Sequence, residues 1–130
     1  MNQLFKSLTA SALALATTTA LASPAYLVTH NKTNVESNAY VAGVAAPHPT
    51  APNSDGKVSW LVVRMACYGH VDKSGRCHAV IKMATNTDKP IELGTVSMDV
   101  ENGDIQPKQV TGNGYTLTVN GPGEATLTKN

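Results

Sequence analysis

Phenylalanine is almost missing from this chain: its 130 residues include one, Phe5, with one tryptophan and four tyrosines. A core must therefore rest on Val, Leu, Ile, Ala and Met, with help from Trp60 and a few Tyr. Charge is scarce and balanced, with 10 Lys and Arg against 9 Asp and Glu. No basic patch or stripe is present, which argues against nucleic acid and anionic membrane surfaces as partners. Also absent are G-x-S-x-G, H-E-x-x-H, a phosphate-binding glycine loop and the C-x-x-C-H of haem attachment. No enzymatic activity and no cofactor are expected on that ground. Past the N-terminus, no apolar run is long enough to span a bilayer.

The N-terminus carries the clearest signal. "MNQLFKSLTASALALATTTALASPAY" opens with one positive charge, Lys6, and continues into an apolar run from Leu8 to Ala16. That run is too short for a transmembrane helix and suits the apolar region of a secretory signal. Small residues at Ala20 and Ala22 place the cleavage after Ala22. Residues 1–22 are thus expected to be a signal peptide and residues 23–130 a single domain, secreted or periplasmic, with a bacterial look to its short leader. Neither a twin arginine nor a lipid-anchor cysteine accompanies it. Removing Lys6 brings the basic residues level with the nine acidic ones. No membrane insertion is expected of the mature protein, and its oligomeric state is left open.

Short Thr- and Val-rich runs then alternate with Gly, Pro, Asn and Asp clusters, and no helical period stands out. Strands are expected at Ala25–His30, Ala39–Val44, Val58–Tyr68, Cys77–Thr85, Ile91–Val100, Asp104–Val110, Tyr115–Asn120 and Glu124–Thr128. In Ile91–Val100 the apolar phase changes at Gly94, which suggests a β-bulge. Asn102-Gly103 is a hairpin signal. Pro107 puts its strand at a sheet edge. Ala45–Lys57 reads as a proline-rich loop. The expected fold is all-β, an antiparallel sandwich of about seven or eight strands. Trp60 precedes both cysteines, so the Cys–Trp–Cys order of immunoglobulin domains is not met.

"CYGHVDKSGRCH", Cys67 to His78, holds both cysteines and two of the four histidines. If Val58–Tyr68 and Cys77–Thr85 form a hairpin with Cys67 opposite Cys77, then Met65 faces Ala79, Val63 faces Ile81 and Leu61 faces Met83. Every pair is apolar, and directly opposed Cβ atoms lie about 4.5–5.5 Å apart. A disulfide within the domain is therefore expected in an oxidising compartment. The alternative is a copper or zinc site using Cys67, His70, Cys77 and His78, but adjacent strand residues point to opposite faces. Together these features point to an exported binding or interaction module of unknown ligand. A metal-handling protein is the runner-up, followed by a small hydrolase and an assembly subunit with an open sheet edge. Binding is expected on the loops, at His48 in Ala45–Lys57 and at Tyr68, His70 and Asp72 in Tyr68–Arg76.

Overall fold

The computed structural model describes residues 22–130. The expected signal peptide, apart from Ala22, lies outside the described residues. Ten strands and one helix follow in the order β1 (Tyr26–Asn31), β2 (Ser37–Val41), β3 (Val44–Ala45), β4 (Ser54–Ser59), α1 (Trp60–Cys67), β5 (Arg76–Met83), β6 (Ile91–Asp99), β7 (Ile105–Gln106), β8 (Gln109–Gly112), β9 (Tyr115–Gly121) and β10 (Glu124–Lys129). They form two five-stranded sheets, β4-β1-β10-β9-β8 and β3-β2-β5-β6-β7, packed as a sandwich. Pairing is antiparallel except where the first strand lies parallel to the last, β1 beside β10.

The expected bulge is present. Ile81 pairs with Gly94 and Lys82 with Glu92, so Leu93 is the extra residue. Leu93 and Val96, three apart, are thereby both buried. Gly94 is also required for another reason: a Cβ there would sit 2.5 Å from Cγ1 of Val110 on the opposite sheet. The sheets are in close contact along this β6–β8 side. Met83, Leu93, Val96, Ile105, Tyr115, Leu117, Ala125 and Leu127 form the buried core.

Three expected strands are corrected, and the proline-rich loop expected over Ala45–Lys57 is shorter, since Ser54–Lys57 belong to β4. Val58–Tyr68 is not a strand: Val58 and Ser59 end β4, and Trp60–Cys67 is an α-helix. The run is apolar on both strand faces, and such a run is equally compatible with a helix. The buried residues Trp60, Val63 and Cys67 lie at helical spacing. Ser59 is the N-cap, its side chain accepting from Val62 N at 3.4 Å. The helix ends in a turn in which His70 N donates to Cys67 O at 2.8 Å. Tyr68 has φ −59°, ψ 127° and Gly69 has φ +80°, the type II pattern that needs glycine at its third position.

The second correction concerns Asp104–Val110, which is two strands on different sheets. Ile105–Gln106 edges one sheet and Gln109–Gly112 edges the other, with the chain crossing at Pro107. Proline has no N–H to give a ladder, which suits it to the crossing as well as to an edge. Third, Ala39–Val44 turns back on itself at Ala42-Gly43, so Tyr40 faces Ala45 and Val41 faces Val44. Asn102-Gly103 does turn the chain, within a loop of Val100–Gly103 closed by Asp99 N donating to Asp104 O at 2.9 Å.

Cys67 and Cys77 are joined in a disulfide, with Cα atoms 5.9 Å apart. It does not cross a hairpin. It ties the C-terminus of α1 to the start of β5, where the backbone neighbours of Cys77 are Val71 and Met98.

Candidate functional site

Away from the β6–β8 contact, the sandwich is not filled. An apolar cavity of about 160 Å³ lies between the sheets, under α1 and the loop after β3. Its walls carry small side chains where a core would place large ones: Ala39 on β2, Ala79 on β5, Ala125 on β10, Ala66 on α1 and Gly56 on β4. None of its lining residues is Phe, Tyr or Trp, which follows from the scarcity of aromatics. A vestibule of about 320 Å³ adjoins it, and the two share His48, Gly56, Val58 and Val62. The mouth is therefore framed by the proline-rich loop, β4 and the helix.

The loop is held by a buried asparagine. Asn31, 1% exposed, donates from Nδ2 to Val35 O at 2.8 Å, Ala51 O at 3.1 Å and Thr50 O at 3.3 Å. Its Oδ1 accepts from Thr33 N and Thr33 Oγ1. With every donor and acceptor used inside the fold, this side chain fixes the turn after β1 and the segment that carries His48 and Thr50.

The outer face of the same sheet carries an ion-pair clamp. His30 on β1 pairs through Nδ1 with Asp55 on β4 and through Nε2 with Glu124 on β10, each at 2.7 Å. The bond to Glu124, followed by that to Asp55, raises the imidazole pKa above its ordinary value of 6.5. A raised histidine pKa contributes stability fully below about 6.5, and loses it as pH rises through the folded-state value. His30→Gln should therefore destabilise the protein more at pH 5 than at pH 9. Urea unfolding of both proteins at the two pH values checks this, and equal differences would exclude the clamp as a titrating element. β4 is an edge strand and a cavity wall, so the clamp also steadies the mouth.

Of the loop residues expected to bind, only His48 lines the cavity. Tyr68 is 86% exposed and continues a ridge with Leu61 and Met65 on the outer face of α1. His70 is exposed and forms the end of the type II turn. Asp72 is engaged within its own loop, accepting from Ser74 N, Ser74 Oγ and Arg76 N and pairing with His78 Nε2 at 2.8 Å. The Ser74 hydroxyl first, then His78, hold this carboxyl well below the usual range. Serine and histidine both sit on the carboxylate, not on each other, so this is a turn and not a nucleophile with its base. Among the described residues, no three His, Cys, Asp or Glu side chains converge as metal ligands, and both sulfurs are in the disulfide.

Sequence reasoning missed the cavity's own polar residues. Ser37, Ala39 and Val41 share the inward phase of β2, and Leu27, Thr29 and Asn31 that of β1. A polar residue in an inward strand phase was the available signal.

A family model described as "T2SS substrate NttC" matches residues 1–130. The chain belongs to the NttC family. A solved structure described as the Legionella pneumophila type II secretion system substrate NttC is similar, with 56% identity and a TM-score of 0.80, covering 83% of this chain and all of that one. No curated protein matches the chain. Membership in the NttC family agrees with the export expected from the leader: the chain is a secreted, disulfide-bonded β-sandwich of a type II secretion substrate family.

Proposed function

We propose that this secreted protein is a non-enzymatic binding module whose ligand enters the apolar cavity between the sheets. The observation that carries the reading is a cavity of about 160 Å³ kept open by small side chains in so small a domain. A well-packed interior has few voids larger than a water molecule, and an engineered apolar cavity of about 150 Å³ stays dry and takes up benzene. Ala39, Ala66, Ala79 and Ala125 line this volume, and substitution to Leu at any one of them would put three more carbons into it and leave too little room for a benzene-sized body.

Ala79→Leu tests this. The residue is half-buried on the inward face of β5 and lines the cavity. Benzene should bind the secreted protein with saturable NMR shifts at cavity residues. The variant should lose that binding while keeping the wild-type spectrum elsewhere, with stability unchanged or raised by about 1 kcal/mol through cavity filling. Undiminished binding in Ala79→Leu, or no binding by the wild type, would remove the cavity as the ligand site.

A further inference from the structure

We infer that the cavity's ligand is a small uncharged amphiphile, with an apolar body on the alanine wall and one hydrogen-bonding oxygen on a cluster of three hydroxyls: Thr29, Ser37 and Thr50. The inference rests on the cavity being a binding site. Its own observation is separate. Ser37 is 3% exposed and Thr50 7% exposed, and both line the cavity together with Thr29. Among the described residues, none of the three hydroxyls has a hydrogen-bond partner. Buried hydroxyls are ordinarily paired, and leaving them unpaired costs free energy.

The backbone brings the three together. Ser37 and Thr50 form a two-way bridge, Ser37 N donating to Thr50 O at 3.0 Å and Thr50 N to Ser37 O at 2.8 Å. Thr29 faces Gly56 across β1 and β4. Thr50 Oγ1 lies 2.5 Å from where a Cβ on Gly56 would stand. Glycine at 56 leaves room for the Thr50 side chain beside Thr29, and the backbone bridge sets Ser37 next to Thr50. The other polar side chain that β2 gives to the lining, Asn38, is already committed: Nδ2 donates to Ala46 O and Oδ1 accepts from Ala39 N.

The charge of the ligand follows from what the lining omits. No Lys, Arg, Asp or Glu lines the cavity, and His48 at the mouth is its only titratable residue. An ion carried inside would be desolvated without a partner. Hydroxyls can both donate and accept, which suits an alcohol, a phenol or a carbonyl. By comparison with the benzene-sized engineered cavity, the apolar body has on the order of six carbons.

Four probes of matched size separate the possibilities: benzene, phenol, hexan-1-ol and hexanoate, titrated into the secreted protein at neutral pH and followed by NMR. Phenol or hexanol should bind about tenfold more tightly than benzene, the gain of roughly one well-made hydrogen bond. Ser37→Ala with Thr50→Val should bring the ratio of phenol to benzene affinity, measured within the same protein, from about ten to about one. Thr29→Val, at a less buried position, gives the same comparison in a protein less exposed to misfolding. If benzene binds as well as phenol, the hydroxyls serve buried water or the fold and the inference is overturned while the cavity reading stands. Preference for hexanoate over hexanol would overturn the neutral headgroup. If no probe binds, the cavity reading fails as well.

Discussion

Trp60→Ala is expected to lower the unfolding free energy by about 3–5 kcal/mol, the cost of truncating a buried aromatic. Trp60 is 5% exposed and opens the only helix among the described residues. Its indole Nε1 donates to Val100 O at 3.0 Å, and its backbone N donates to Ala25 O at 3.0 Å. One residue thus joins the helix to the segment that leads into β1 and to the β6–β7 turn. Trp60→Phe keeps most of the apolar contact but leaves the Val100 carbonyl without its donor, so about 1–3 kcal/mol should be lost. Leu61→Ala is the control: an exposed neighbour in the same helix, it should change stability by less than about 0.5 kcal/mol. Urea denaturation of the three variants measures this order. A Trp60→Ala protein as stable as Leu61→Ala would mean that the helix is not anchored through its first turn.

That helix is also where the sequence was hardest to read. "WLVVRMAC" is apolar in both strand phases, and the valines favour a strand locally. The signals for the helix were present at its ends, with Ser59 as a cap and Tyr68-Gly69 as a type II turn, but its interior has no clean polar face because Leu61 and Met65 are exposed. The bulge at Leu93 was legible because a bulge leaves a phase change in the apolar pattern. The edge at Pro107 was legible because proline removes a donor. The change of sheet at the same proline was not, since nothing local distinguishes the end of an edge strand from a crossing. The cavity was illegible for a different reason. Ala39, Ala66, Ala79 and Ala125 are far apart in the chain and ordinary one by one; only the separation of the sheets converts them into a volume. The hydroxyls of Ser37 and Thr50 depend on a bridge between a strand and a loop.

The disulfide was expected from a hairpin register that the protein does not adopt, yet its bond is present, and removing it should have the second large effect. Cys67→Ala with Cys77→Ala should cost about 3 kcal/mol, from the entropy regained by an unfolded chain freed of a short closed loop. The bond spans a sequence separation of 10, and the loss is a sizeable share of a domain stability of about 5–15 kcal/mol. Both cysteines are buried and both line the cavity, so the bond also holds the floor of α1 against β5. The double variant should therefore bind benzene more weakly than wild type, even under conditions where it remains folded. Reduction of the wild type supplies the matching control: dithiothreitol should lower its urea midpoint toward that of the double variant and leave the variant's own midpoint unmoved. A double variant with wild-type stability and wild-type benzene affinity would show that Trp60 and Val63 suffice to dock the helix. The disulfide would then contribute neither to the fold's stability nor to the cavity's shape.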